Sequence, residues 1–373
     1  MKYFIIAGEA SGDLHAANLM KEIKNLDSKA EFMFLGGNKM QNVGGIMIRH
    51  FKDMAFMGII NVVLNLRKVL YNLSDCKKAL KNFAPDYLIL IDYPSFNLRI
   101  AEFCKKNLPK TKVYYYISPK LWAWKEYRIK SIKKWIDRMF TILPFETEFY
   151  AKHNFHVEYV GNPSVDSVML RNNKNESKED FIQKYGLDNR PIVALLAGSR
   201  IQEINGCLPT MIQMQNHFPS YQFVIAGAPS VDKKTYQKII GTKNIPIIEN
   251  NTYDLLQQSH AAIVNSGTAT LETALFRIPQ VVVYNVFGGR LANILKSIVL
   301  KIKYVALSNL IAGKEVSKEL IAADFTEKNL SIELSKILEG TNREQMLKDY
   351  DEIILSLGNP GTAKRAAQKM LQS

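Results

Sequence analysis

Cysteine is scarce and scattered. Cys76, Cys104 and Cys207 are odd in number and far apart, and none belongs to a Cys-x-x-Cys pair or neighbours a histidine pair. Neither a disulfide framework nor a zinc site is therefore indicated, which points to a reducing compartment. The six histidines, at 15, 50, 153, 156, 217 and 260, form no HxxxH or HExxH pattern, so no metal site and no Ser-His-Asp relay is expected. No run reaches about 18 uncharged apolar residues, the length needed to span a bilayer. The opening MKYFIIAGEASGD shares the outline of a secretory signal, but its apolar run stops after five residues in a Gly/Asp turn. A buried first strand is expected there instead.

Acidic residues are also in deficit: Lys and Arg number 49 against 35 Asp and Glu, a net charge of +14. An anionic partner is implied, whether nucleic acid, membrane surface or phosphorylated substrate. Residues 120–138 hold seven Lys/Arg against two acids, and residues 286–304 hold four basic residues and no acid. Bases interleaved with Leu, Ile and Val suit a membrane-facing surface better than a DNA-reading helix, although solvated faces of ordinary helices would look similar. No nucleic-acid-binding motif is present, and no nucleic-acid partner is expected.

Strand-length apolar runs alternate with helical patterns through 373 residues, enough for two domains. The first set is Tyr3–Ala7, Phe32–Leu35, Tyr87–Ile91, Val113–Ile117, Met139–Leu143 and Val157–Val160. After the polar stretch 171–180 the pattern restarts with Ile192–Leu196, Phe223–Ala226, Ile245–Ile248, Ala261–Val264 and Val281–Tyr284. Near-continuous hydrophobicity marks strands buried on both faces, hence parallel sheets covered by helices. The expected class is α/β, two doubly wound Rossmann-like domains facing a central cleft, over 1–170 and 181–342, with a helical tail at 343–373. Ligands in such sheets bind at the carboxyl ends of strands, so the chemistry is sought there.

The first strand runs into Gly8-Glu9-Ala10-Ser11-Gly12-Asp13. Two glycines permit a tight turn and the following helix start can receive an anion, but the spacing is not that of a dinucleotide fingerprint. Glu9, a strand-end carboxylate with no neighbouring base, is assigned to the site. Ser11 and Asp13 either line the loop or cap the helix. Asp92 follows Tyr87–Ile91 directly, in a loop that continues to Asn97. It can take a proton from an incoming hydroxyl or simply form a turn before Pro94. Trp122, in VYYYISPKLWAW at 113–124, offers a stacking face for sugar or lipid, or packs on a helix.

In the second domain, Gly198, Ser199 and Arg200 after Ile192–Leu196 suit a diphosphate, with backbone donors plus one fork-shaped cation. Ser266, Gly267 and Thr268 begin another helix that can receive phosphates, and Glu272 a turn further in can reach ribose hydroxyls. Residues 57–73 (MGIINVVLNLRKVLYNL) form a helix candidate whose apolar arc covers roughly 220°, against the ~100° needed to pack on a sheet. Val62, Val63, Leu66, Val69 and Leu70 are candidates for contact with acyl chains or a membrane. Burial between neighbours or in a dimer contact is the alternative.

The strings AGEASGD (7–13), MGIINVV (57–63), IDYPSFN (91–97), YISPKLWAW (116–124), LPFE (143–146), AGSR (197–200), SGTATLE (266–272) and LSNLIAG (307–313) occur in the same order as in the lipid-A-disaccharide synthase family, which the chain resembles nearly end to end. The resemblance implies a glycosyltransferase B-type fold and a metal-independent reaction without cofactor. It implies transfer of 2,3-diacylglucosamine from UDP-2,3-diacylglucosamine to 2,3-diacylglucosamine 1-phosphate. It also implies a peripheral protein on the cytoplasmic face of a Gram-negative inner membrane, and homodimers through exchanged C-terminal segments. By position, Asp92 matches the family's essential aspartate, Glu9 its first-loop glutamate, Arg200 and Glu272 nucleotide-site positions, and Asn309 an asparagine in the cleft. Two departures stand out. Ser95 replaces a second aspartate common in the family, leaving Asp92 alone, and Ala197 replaces the usual proline before Gly-Ser-Arg. A soluble UDP-N-acetylglucosamine epimerase would share the architecture without needing the apolar helix at 57–73.

Overall fold

The computed structural model describes residues 1–54, 66–285 and 303–372. They divide into two compact units, Met1–Pro163 with Asn359–Ser373, and Ser164–Gly358. The first unit holds strands β1 (Lys2–Ala7), β2 (Glu31–Gly36), β3 (Ile46–His50), β4 (Tyr87–Ile91), β5 (Lys112–Tyr116), β6 (Arg138–Thr141) and β7 (Glu158–Tyr159). The second holds β8 (Ile192–Leu196), β9 (Gln222–Gly227), β10 (Ile247–Glu249), β11 (Ser259–Asn265), β12 (Gln280–Tyr284) and β13 (Glu319–Ile321). The sheets are ordered β3-β2-β1-β4-β5-β6-β7 and β10-β9-β8-β11-β12-β13. Every pair is parallel.

Continuous apolar strands are explained by helices on both faces. Phe4 and Ile6 of β1 enter one core layer, and Tyr3, Ile5 and Ala7 enter the opposite one. In β8, Val193 and Leu195 face one layer while Ile192, Ala194 and Leu196 face the other. Strand order reverses between β1 and β4 in the first sheet and between β8 and β11 in the second. These switch points open crevices at the strand carboxyl ends. The segments there are Gly8–Glu9, Asp92, Gly198–Arg200 and Ser266–Thr268.

Several boundaries differ from expectation. The edge strands β3 and β13 were not foreseen, because Arg49 and His50 break the apolar run of the first and the second has only Leu320 and Ile321 after Glu319. The units part at Pro163/Ser164, before the polar stretch at 171–180. The tail also divides. Thr341–Leu357 buries Met346, Tyr350, Ile353 and Leu357 in the second unit's core. Only Thr362–Leu371 returns to the first, placing Ala366, Ala367 and Met370 in its core. Arg365 anchors that return, its Nε donating to the Val160 carbonyl at 2.9 Å.

Of the helix expected at 57–73, the structure describes Leu66–Phe83, a helix that runs ten residues further. Val62 and Val63 lie outside the described residues, as does the Leu66 side chain. Val69 packs against the core and Asn72, expected on the polar face, is buried. Leu70 and its neighbour Tyr71 are exposed, at 53% and 62%.

Candidate active site

The β4 strand ends in an uncommon conformation. Asp92 and Tyr93 both adopt left-handed backbone, with φ of 43° and 46°, which costs non-glycine residues about 1 kcal/mol or more each. Two buried side chains hold it. The Tyr115 hydroxyl donates a short bond to the Asp92 carbonyl. Asn97 Nδ2 donates to the same oxygen at 2.7 Å and to the Ile91 carbonyl at 3.2 Å. Tyr93 reaches the Met54 carbonyl through its hydroxyl at 3.1 Å. Its ring covers Gly8, where a β-carbon would come within 2.4 Å of the Tyr93 Cγ. The half-buried Asp92 carboxyl is thereby presented at the switch point. Burial pushes its pKa up to about 6; Lys120 pulls it down, Glu9 pushes it up, and the Tyr93 N–H pulls it down. Glu9, half-buried at the start of the Ala10–Leu26 helix, makes no capping bond with its side chain. Ser11 is exposed on that helix's first turn.

Three residues weighed for this site are engaged within the unit, Asp13 as a cap, Asn97 in its loop and Trp122 in packing. Asp13 is 3% exposed and accepts from the backbone N–H groups of Gly37 (2.8 Å), Met40 (3.1 Å) and Lys39 (3.1 Å). It thereby caps the Asn38–Val43 helix. Asn97 is fully buried and fastens the loop backbone. Trp122 gives its indole N–H to Glu146 at 3.2 Å and stands edge-on to Phe145.

In the second unit Gly198 has φ of 112°, and a β-carbon there would meet Glu203 Oε2 at 2.5 Å. Glu203 accepts from the Ser199 N–H at 3.0 Å and the Arg200 N–H at 3.3 Å. The backbone donors expected to hold a diphosphate are thus engaged by the third residue of the Ile201–Met211 helix, as in a capping box. The Arg200 side chain stays largely exposed, with Nη1 3.4 Å from Glu203. Gly267 and Thr268 are exposed at the start of the Thr268–Leu275 helix, with Ser266 bonded to the Val305 carbonyl. Glu272 accepts the Tyr253 hydroxyl at 2.8 Å, and burial raises its pKa. Tyr253 in turn borders a cleft of about 280 Å³ with Arg171, Asn173 and Asn251. Asn309, expected in the cleft, is bonded within the unit. Its Nδ2 donates to the Ser317 carbonyl and Glu319, and its Oδ1 accepts from Val316 and Ser317 N–H groups, all at 2.8–2.9 Å. Both amide hydrogens and both lone pairs are spent inside the unit, so it ties a loop.

The family model for lipid-A-disaccharide synthetase matches residues 3–372. The chain belongs to that family. The lipid-A-disaccharide synthase of Syntrophus aciditrophicus (strain SB) is 35% identical over 373 residues, covering 97% of this chain and 95% of that protein. That of Myxococcus xanthus (strain DK1622) is 35% identical over 384 residues, covering 100% and 97%. A solved UDP-GlcNAc 2-epimerase from Neisseria meningitidis, bound to UDP-GlcNAc, has a TM-score of 0.70 at 14% identity and covers 100% of both chains. That likeness shows the glycosyltransferase B-type fold of two Rossmann-like domains. As a lipid-A-disaccharide synthetase family member the chain is a glycosyltransferase, as its motifs implied.

Sequence reasoning did not single out Tyr115, Lys120 and Glu146 around the Asp92 loop of the first unit, or Glu203 at the Gly198 turn of the second. Glu203 was legible as a glutamate at the third position of a helix. Tyr115 carried no signal, since a buried tyrosine in a strand reads as core. Ser95 is exposed and accepts from Arg128 at 2.8 Å.

Proposed function

We propose that the chain is an inverting glycosyltransferase that moves 2,3-diacylglucosamine from UDP-2,3-diacylglucosamine onto 2,3-diacylglucosamine 1-phosphate, giving lipid A disaccharide 1-phosphate and UDP. Asp92 takes the proton from the acceptor's 6-hydroxyl while that oxygen bonds to the donor's anomeric carbon. The bond from that carbon to the UDP oxygen breaks on the opposite face, so one displacement inverts the centre without a covalent intermediate. Glu9 orients the acceptor. Arg200 and the Gly267–Thr268 backbone offset the charge developing on UDP, and Glu272 takes the ribose. No metal or cofactor enters. The observation that carries this reading is Asp92 itself, whose backbone carbonyl is held by Tyr115 and Asn97 at the switch point and whose carboxyl has a pKa raised to about 6.

Both substrates are lipids, so the enzyme works on the cytoplasmic face of the inner membrane as a peripheral protein. Supporting this are the exposed Trp124, Tyr127, Leu70 and Tyr71 alongside an excess of basic residues. Among the described residues no helix is long and apolar enough to cross a membrane. If the chain dimerises by segment exchange, Thr362–Leu371 is the segment to exchange.

The test is mass spectrometry of both substrates with purified protein in detergent micelles containing EDTA. Disaccharide 1-phosphate and UDP should appear together, and Asp92→Asn should slow transfer by about 10²–10⁴-fold while still folding. Near-normal turnover by Asp92→Asn would sink the base assignment. Conversion of UDP-GlcNAc to its 2-epimer, without an acceptor, would replace transfer by epimerisation.

A further inference from the structure

The LPFE string at 143–146 has no part in the reaction proposed above, yet its glutamate is 1% exposed. A carboxylate so enclosed is strongly disfavoured unless donors surround it. Glu146 has four. Its Oε2 accepts from the backbone N–H groups of Leu143 at 3.0 Å and Ile142 at 3.3 Å. Its Oε1 accepts a short bond from the Ser118 hydroxyl and the Trp122 indole N–H at 3.2 Å. The first pair lies just beyond β6, where Glu146 opens its own helix. The second pair belongs to the turn that leaves β5.

That turn is strained at both ends. Ile117 and Lys125 have φ of 63° and 56°, a conformation that persists in such residues only where the surroundings over-determine it. Midway between Ser118 and Trp122 stands Lys120, exposed on the turn. β5 pairs directly with β4, Tyr116 lying opposite Ile91, and the Asp92 N–H donates to the Tyr116 carbonyl at 3.4 Å. The turn therefore starts beside Asp92.

We propose that Lys120 is a positioning residue for the Asp92 base, and that Glu146 holds the turn that sets Lys120 against it. This rests on the reading of Asp92 as the base. The groups acting on that carboxyl are Lys120 from the β5 turn, Glu9 from the β1 turn and the Tyr93 N–H of its own loop. Tyr115, itself under the influence of Arg128, lies against it from β5. Among the described residues Lys120 is the one cation acting directly on Asp92, opposing both burial and the Glu9 charge. Its service is to keep Asp92 ionised when an acceptor hydroxyl arrives.

The pH dependence of kcat/KM in the transfer assay tests this. Lys120→Met should move the acid limb to higher pH by about half a unit or more, and Lys120→Arg should return it. Glu146→Gln should move the limb in the same direction, and the double variant Lys120→Met/Glu146→Gln no further than Lys120→Met alone. A Glu146 that merely stabilised the fold would lower the thermal midpoint and leave the limb in place. A limb unmoved in Lys120→Met overturns the proposal. One that stays or moves to lower pH in Glu146→Gln overturns the part given to Glu146. Should Glu146→Gln not fold, Ser118→Ala and Trp122→Phe each remove one donor and must shift the limb upward; a limb unmoved in both overturns that same part. Asp92→Asn separates the two readings. If it keeps turnover, the base assignment fails; if it is silent while Lys120→Met leaves the limb unmoved, the base stands and only this inference falls.

Discussion

Asp92 works from a conformation that only its neighbours permit. The Tyr115 hydroxyl is one of two anchors on its carbonyl, and Tyr115→Phe leaves that buried oxygen to Asn97 alone. The expected cost is about 1–2 kcal/mol of stability, read from urea midpoints, with kcat reduced more than KM is raised. Glu146 carries a prediction of its own. Burial pushes its pKa up to about 7 from an ordinary 4.5. The folded protein thus holds this proton more tightly than the unfolded chain, and the resulting stability is complete at low pH and lost as pH rises from about 4.5 to about 7. Glutamine does not titrate. The stability deficit of Glu146→Gln relative to the parent should therefore be smaller at pH 8 than at pH 5, by up to ~3 kcal/mol. A deficit that is constant with pH would show that Glu146 is ionised throughout.

At the scale of elements, the turns are specified by single residues reaching between them. Asp13 leaves its own helix to cap the next one, bonding three of its N–H groups. Asp13→Ala should cost about 0.5–2 kcal/mol without the pH-dependent loss expected of a residue acting on Asp92. Gly198 shows the converse, a turn that tolerates no side chain. At φ of 112° and with Glu203 and Asn265 within 2.9 Å of any β-carbon, Gly198→Ala should destabilise by about 1–3 kcal/mol. Isothermal titration with UDP should show weakened binding in the same variant. Glu203 also explains why the AGSR string was only partly legible. Gly198 announces the turn, but the carboxylate that takes its N–H groups arrives from the next helix.

For the whole molecule, the two units draw on the chain unequally at its end. A protein stopped at Gly358 keeps Tyr350, Ile353 and Leu357 in the second unit's core, but strips Ala366, Ala367 and Met370 from the first. It should lose transfer activity and bind UDP still. A charge of +14 predicts association with anionic vesicles that weakens as salt rises. Indifference to lipid at low and high salt alike would remove the membrane from the account.

The parallel sheets, the strand-end location of Glu9 and Asp92, the turn after β8 that carries Arg200, the helix after β11 that carries Glu272, and the family were all readable from sequence, because buried strands are written as contiguous apolar runs. The edge strands β3 and β13 were not, since Arg49 and His50 interrupt the first and the second is three residues long with a single buried apolar residue. Nor were the tasks of Asp13, Asn97, Trp122 and Asn309. A polar residue near a turn has the same appearance in sequence whether it meets a ligand or a backbone. Only folding brings Asp13 to Gly37, or Ser118 to Glu146, and a buried donor or acceptor goes to whichever partner the tertiary structure places within about 3 Å.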